Sequence, residues 1–396
     1  MSTVALPALL GIHGSGGRAL VAPGAIHAAL TLARPQVNSR ATALGPDDAT
    51  LQIHGADTPR FVGSARRLLV EGQRSNDIAD PLAFGAGSGW TALTGGTGAA
   101  AVVTPGYGGI SAPDGSFTAT RLQLSIGAGT TTADQSGLTR DTAASAARYV
   151  WARTLAGTAN VQIGTAATAG ASQSTVDTTW RRLGSSGAGG VHRIALVGGS
   201  GNSATADILV WGASVEANAT FPSSLVLPPA GASQASTRGA ELATASLAAL
   251  GVAGNGACTL LWSGRLPQLA TGTPLTILQV DDGTNTVRWQ LDNQPTTANI
   301  RILGSGAMAV SAGAATAGAP LRIGVAIDGA GRAASSLNGA AAAGTTGGPT
   351  AGLTTLRLGA NASAGNAMFG ETAHLRLLPW ALTDAELAAQ VAALPT

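Results

Sequence analysis

Hydrophobic and polar positions alternate in short runs along most of the chain, and clusters of Gly, Ser, Thr and Asn separate the runs. A period of two marks a β-strand with one face buried, and many short strands between turn clusters predict antiparallel sandwiches. Two runs within 76–227 are clear. In Arg148-Tyr149-Val150-Trp151-Ala152-Arg153 the alternation places Tyr149, Trp151 and Arg153 on one face and Val150 and Ala152 on the other. In Ile208-Leu209-Val210-Trp211-Gly212 both faces are apolar, which predicts a buried central strand. The pattern restarts at 258–265, 275–280, 286–292, 299–303, 321–327, 354–358 and 372–378, a second sandwich. One helix closes the chain, with Thr383 as N-cap and Glu386 completing a capping box. Its Leu387, Val391 and Leu394 recur at i, i+4 and i+7, so one stripe packs on the second sandwich.

The remaining segments carry no such period. Residues 1–75 read as an N-terminal arm and opening segment, with few charges up to about residue 45, scattered Gly and Pro, and apolar pieces at 4–12 and 26–32. Such an arm either docks on another protein or stays a mobile terminus. Residues 228–240 are rich in Pro, Ser and Gly and read as a linker. The expected class is therefore all-β. Two tandem antiparallel jelly-roll-like sandwiches, 76–227 and 241–396, follow an extended arm, and one short C-terminal helix ends the chain.

Composition narrows the function classes. A chain of 396 residues has length for two or three domains at roughly 150 residues each. Apolar content of 45% with a net charge of +2 excludes a disordered chain, and charged residues at 11% disfavour a charged helical bundle. No apolar run approaches the ~20 residues of a membrane helix, so membrane insertion is not expected. No Lys or Arg precedes Arg18, so a secretory signal is not expected either, and synthesis in a bacterial cytoplasm is. Cys258 is the sole cysteine, which leaves no internal disulfide. All 22 basic residues are arginine, unclustered and set against 20 acids, which is no nucleic-acid footprint.

Candidate chemistry is sparse. A sandwich glycosidase needs two carboxylates about 5–10 Å apart, yet only Glu71, Glu216, Glu241, Glu371 and Glu386 occur, without an E-x-D-x-E run. His13, His27, His54, His192 and His374 lack zinc spacing. The Gly-rich pieces match neither a phosphate loop nor a nucleophile elbow. A non-enzymatic protein is expected, with no catalytic residue and no certain cofactor. Asp281-Asp282-Gly283-Thr284-Asn285 holds ligands suited to Ca2+ at Asp281 and Asp282, and also reads as an ordinary hairpin turn. Aromatic residues are only 4%, so their placement is informative. Flat rings beside Arg, Asn, Gln or Asp suit a sugar: the ring stacks on the pyranose while the polar groups bond its hydroxyls. Tyr149, Trp151 and Arg153 fit that description, and Trp151 equally fits a core position. Arg288, Gln290 and Asp292 share a second polar face, with Val287, Trp289 and Leu291 opposite, so Trp289 is expected in the core.

Residues 59–76 run Pro59-Arg60-Phe61 to Arg67-Leu68-Leu69-Val70-Glu71-Gly72-Gln73-Arg74-Ser75-Asn76. They resemble the P-R-F…G-L-L-[IV]-E-x-x-R-[ST]-N segment of tailed-phage tail and fibre proteins, with Arg67 in place of the usual Gly. The next region is similar to carbohydrate-binding-like modules of those proteins. It carries Ala112-Pro113-Asp114-Gly115-Ser116 and closes with Trp211-Gly212-Ala213-Ser214-Val215-Glu216, where Ser214 departs from the usual W-G-A-Q-[LV]-E. The third resembles concanavalin-A-like or laminin-G-like modules through Ser336-Leu337-Asn338-Gly339, Leu356-Arg357-Leu358-Gly359 and Leu382-Thr383-Asp384-Ala385-Glu386-Leu387. The small-residue, Arg-only flavour also resembles head spikes of alphaproteobacterial gene transfer agents.

The resemblance implies a spike or fibre on a particle surface that binds host polysaccharide, capsule or lipopolysaccharide, for adsorption. Its arm would anchor to a capsid, spike or tail protein, and it could form a homo-oligomer. A glycan depolymerase on the same scaffold and a purely architectural connector are the alternatives.

Overall fold

A computed structural model of the chain describes residues 17–35, 38–165, 173–306 and 309–396. Among them every regular element is a strand, save the helix Asp384–Ala392. The residues form two compact units. A middle unit comprises 38–55 and Arg74–Arg238, and a C-terminal unit comprises 17–35, Ala56–Gln73 and Gly239–Thr396.

In the middle unit, two five-stranded antiparallel sheets face each other. The strand Thr205–Ala217 is central in one of them, between Thr120–Ser125 and Ser145–Thr154. Its Ile208 and Val210 enter the core between the sheets, together with Val150 and Ala152 and, from the other sheet, Val161, Ile163, Ile194 and Leu196. Leu209 and Trp211 project from the opposite side into a second apolar cluster. A regular strand would send Trp211 and Ser214 to opposite faces. Instead Tyr149 pairs with Ser214 and Trp151 with Trp211, so one extra residue is accommodated in Thr205–Ala217 as a bulge. Gly212 sits there at φ +63°, and a Cβ on it would lie 2.9 Å from a Leu225 methyl. The bulge brings Trp211, Ser214 and Glu216 to one face. Glu216 is buried there, with Arg74 at 3.3 Å, Arg182 at 3.7 Å and the Ser223 amide donating to both of its oxygens.

The C-terminal unit pairs a nine-stranded with a seven-stranded antiparallel sheet. All seven runs expected after residue 257 are strands, for example Cys258–Arg265, Pro320–Ile327 and Phe369–Leu378. Trp289 is in the core at 2% exposure. The helix is capped by Thr383 and Glu386 in a capping box. Its Leu387 and Val391, with Leu394 just past its end, pack on Leu261, Ala326 and Ala334 of the nine-stranded sheet.

Two expectations are corrected. The described part of the arm is not extended and free. Arg18–Ala22 and Arg67–Glu71 both pair with Phe369–Leu378, Thr31–Ala33 pairs with Leu242–Ser246, and Arg40–Leu44 pairs with Val226–Leu227 in the middle unit. Leu20, Val21, Leu32, Leu68 and Val70 are buried in the C-terminal unit's core, so these short segments gain by joining sheets made hundreds of residues later. The sandwiches are consequently interleaved along the chain rather than strictly tandem. The apolar run 4–12 lies outside the described residues. The expected linker 228–240 also differs: Ser236–Arg238 pairs with Arg74–Asn76, and Arg238 is fully buried.

The segments of the C-terminal unit are tied by charge as well as by ladders. Glu241, fully buried, accepts from Arg34 Nη1 at 2.8 Å, from Arg60 Nε and Nη2 at 2.8 and 2.6 Å, and from the Glu71 amide at 2.9 Å. Arg60 also donates to Glu71 at 2.8 Å. Burial works against the Arg60 charge, but Glu241 and Glu71 outweigh it and hold the guanidinium above its ordinary pKa. Neutralising Glu241 takes away the carboxylate that two buried cations, Arg34 and Arg60, share. Glu241→Gln should therefore cost about 3–5 kcal/mol, read as a lower urea midpoint at unchanged slope; a shift worth under about 1 kcal/mol would contradict the assignment.

Candidate functional site

The two expected sugar-facing strand faces are occupied by the protein itself. Tyr149, Trp151 and Arg153 do share the outer face of Ser145–Thr154, but Trp151 is only 8% exposed. It is covered by Leu209, Trp211, Leu225 and Leu227 and by residues brought by Leu51–His54 and the 107–119 loop. Tyr149 is half-buried with the Arg182 guanidinium 5.7 Å over its ring, and Arg153 Nε donates to the Thr154 carbonyl. The stacking platform is thus corrected for Trp151, because alternation assigns a face without saying what lies on it.

In the C-terminal unit, Arg288, Gln290 and Asp292 share the polar face opposite Trp289 and Leu291. They are spent on one another and on neighbouring strands. Asp292 is fully buried and takes a two-pronged bond from Arg301 at 3.0 and 2.8 Å, Gln290 donates to Asp292, and Arg288 bonds the Asn285 carbonyl. Asp281 is fully buried against Arg357 at 2.6 and 3.2 Å and accepts from the Gly283 amide and Gln279. The Thr284 hydroxyl and amide bond Asp282 and hold its carboxyl below the usual range. Both Asp281 oxygens and Asp282 Oδ1 are thus taken by protein donors, and the segment is the hairpin turn that joins Leu275–Asp281 to Arg288–Asn293. Among the described residues no cluster of three or more metal-ligating side chains occurs.

An open cleft of about 720 Å³ lies elsewhere in the middle unit. Its walls include Asp80, Leu82, Phe84, the Ala86-Gly87-Ser88-Gly89 loop, Pro105, Thr118, Arg140 and Ser233. Local chemistry explains how each wall is held. Asn76 bonds the carbonyls of Ala213 and Val226 and accepts from the amides of Ile78 and Val215, and the Ala213 amide bonds the Pro81 carbonyl. These bonds pin the segment bearing Asp80 and Leu82 along the central strand. Thr118 is fixed by the buried Trp211, whose Nε1 donates to its hydroxyl at 3.0 Å. Arg140, near the end of Gln135–Asp141, donates Nη1 to the Ser88 carbonyl at 2.5 Å. Gly89 makes that approach possible: it sits at φ +80°, and a Cβ would come within 2.5 Å of the same nitrogen.

Behind the cleft wall, Phe84 packs on Trp90 at 5.5 Å and Trp90 on His192 at 5.1 Å. His192 is fully buried, and neither ring nitrogen has a protein partner among the described residues. Burial, with Arg148 and Arg140 close by, lowers its pKa to about 3, so the ring is neutral. The cleft residues Asp80, Ser88, Arg140 and Ser233 were not singled out from the sequence. The glycine spacing at 85, 87 and 89 is the one local signal that a tight loop meets another group there.

No family model matches the chain, and no curated protein matches it. Solved structures similar to it include the CBM40 of the Ruminococcus gnavus IT-sialidase bound to α2,3-sialyllactose, at TM-score 0.29 and 16% identity, covering 34% of this chain and 82% of that one. Domain 4 of AbnA, a GH43 extracellular arabinanase from Geobacillus stearothermophilus in complex with arabinotriose, gives TM-score 0.30 and 15% identity over 39% of this chain and 73% of that one. The NanB sialidase from Streptococcus pneumoniae gives TM-score 0.30 and 11% identity over 38% and 26%.

Two outcomes are expected here. Trp151→Ala should destabilise the protein by about 3–5 kcal/mol in chemical denaturation, as a core truncation does; a fold left intact would return Trp151 to the surface. For His192 the unfolded ring binds a proton below about pH 6.5, while the folded ring stays neutral to about pH 3. Stability should therefore fall as pH drops through that window. Thermal melts of His192→Phe should show a flatter decline between pH 6.5 and 3 than the parent.

Proposed function

We propose that this is a saccharide-binding protein that acts without covalent chemistry. The observation that carries the reading is the cleft of the middle unit. It is open, sized for an oligosaccharide, and held on rigid strands. Hydroxyls of Ser88, Thr118 and Ser233, the Arg140 guanidinium and loop backbone offer sugars hydrogen bonds beside apolar Leu82 and Pro105. Its walls contain one carboxylate, Asp80, where glycoside hydrolysis calls for a pair. Phe84, the aromatic wall residue, is 4% exposed, so recognition relies on polar contacts more than on ring stacking.

The finer reading is a spike or fibre on a phage or gene-transfer-agent particle that adsorbs to host capsule or lipopolysaccharide. The sequence segments 59–76 and 211–216 support it by resemblance. Weak single sites suit that role, since near-millimolar binding is about −4 kcal/mol and many copies on one particle add avidity.

Purified protein should be retained by host-surface polysaccharide in affinity electrophoresis. Ala86→Trp, an exposed substitution in the cleft wall, should weaken retention about tenfold or more with an unchanged melting temperature. Retention unaffected by that substitution would remove the cleft from the reading, and shortening of the incubated polysaccharide would replace binding by hydrolysis.

A further inference from the structure

The cleft does not end at its own walls. A second cavity of about 210 Å³ shares Asp80, Leu82 and Ser233 with it and continues to Arg40, Leu227, Pro228 and Pro229. Together they hold two guanidinia, Arg140 in the wall of the larger and Arg40 in that of the smaller, and one carboxylate, Asp80, common to both. Neither cation is neutralised. Arg40 Nε donates to the Pro228 carbonyl at 2.7 Å, Arg140 Nη1 donates to the Ser88 carbonyl, and among the described residues neither arginine forms an ion pair. Elsewhere in this unit exposed or half-buried guanidinia do find carboxylates, as Arg121 does with Asp207 and Arg181 with Asp177. Arg148, which like Arg140 lies near His192, is fully buried, and among the described residues it bonds the Thr142 hydroxyl and the carbonyls of Ala143, Ala146 and Gly187. Burial depresses the pKa of both Arg140 and Arg148, and among the described residues no carboxylate offsets that cost.

Half-buried cations without counter-charges, set in hydroxyl-lined walls, form a receptor for an anion on a polar ligand. Resting on the saccharide reading above, we infer that the groove binds an acidic polysaccharide, its carboxylate-bearing sugars meeting Arg140 and Arg40 while a neutral sugar spans Asp80, Leu82 and Ser233. A guanidinium left with four free N–H donors matches a carboxylate's two oxygens in a fork. Asp80, common to both cavities, then disfavours an unbroken row of acidic sugars and favours an anionic residue alternating with a neutral one. A nucleic acid would also bring anions, but the groove exposes no aromatic ring for base stacking, since Phe84 is buried.

The test uses the full chain and matched pairs of polysaccharides: hyaluronan, alginate and polygalacturonate, each beside its carboxyl-reduced neutral form, with a single-stranded oligothymidylate as the nucleic-acid arm. At least one acidic polymer should bind about tenfold or more tightly than its reduced partner, with an advantage that shrinks as salt is raised. Arg140→Gln and Arg40→Gln should each remove most of that advantage, weakening the acidic polymer severalfold more than its reduced form. Arg140→Lys should keep part of it, and Asp80→Asn should strengthen acidic binding, an opposite sign that misfolding would not produce. Circular dichroism melts check that each variant folds. Equal binding of acidic and reduced polymers overturns this inference and leaves the saccharide reading standing. Binding of no polymer overturns both, and preferential binding of the oligothymidylate replaces the ligand class.

Discussion

A single buried carboxylate holds the C-terminal unit to one arrangement. Glu241 gathers Arg34 from 207 residues upstream, Arg60 from 181 and the amide of Glu71 from 170, all away from water. Charges so buried are tolerable only when paired and hydrogen-bonded throughout, so these three segments have little freedom to settle elsewhere. The middle unit repeats the device with Glu216, approached by Arg74 and Arg182. The acids that looked like scarce catalytic candidates in the sequence serve instead to fix where distant strands lie. Glu71, Glu216 and Glu241 are each below 6% exposed, which leaves them no access to a substrate.

What the sequence disclosed was what depends on neighbours along the chain. The short apolar run at 208–211 and the strand pattern at 258–265 marked strands, and Thr383 with Glu386 marked a capped helix, because each signal lies within a few residues. What it withheld depends on residues far apart. The segments 18–22, 31–33 and 67–71 are too short to announce strands, and their partners begin more than 200 residues on. Trp151 shows the same limit from another side: its face was legible, while the cover supplied by residues near 51, 112, 119 and 225 was not. Ser214 and Glu216 share a face with Trp211 only through the bulge at Gly212, which a strict period of two excludes.

The cleft was least legible of all. Its walls come from residues 79–89, 105, 118–120, 140 and 233, none of which forms a motif alone. The polar residues with the most visible patterns, Arg288, Gln290 and Asp292, pair inside the protein, whereas Asp80, Arg140 and Ser233 stand in loops or near strand ends. Binding groups on loops held by a rigid sheet are a common division of labour. Here the buried Trp211 and Asn76 supply the rigidity, and the groups they position remain open to a ligand.

The strand Phe369–Leu378 has Arg18–Ala22 and Arg67–Glu71 on one flank and Cys258–Arg265 on the other. On a ribosome, the early strands emerge long before that central partner exists. At about 5–20 residues per second, some 300 residues of delay correspond to tens of seconds during which Leu20, Val21, Leu68 and Val70 have nowhere to bury. Assembly of this unit must therefore wait, by connectivity alone, for Phe369–Leu378, and the early strands must be kept from self-association until it emerges.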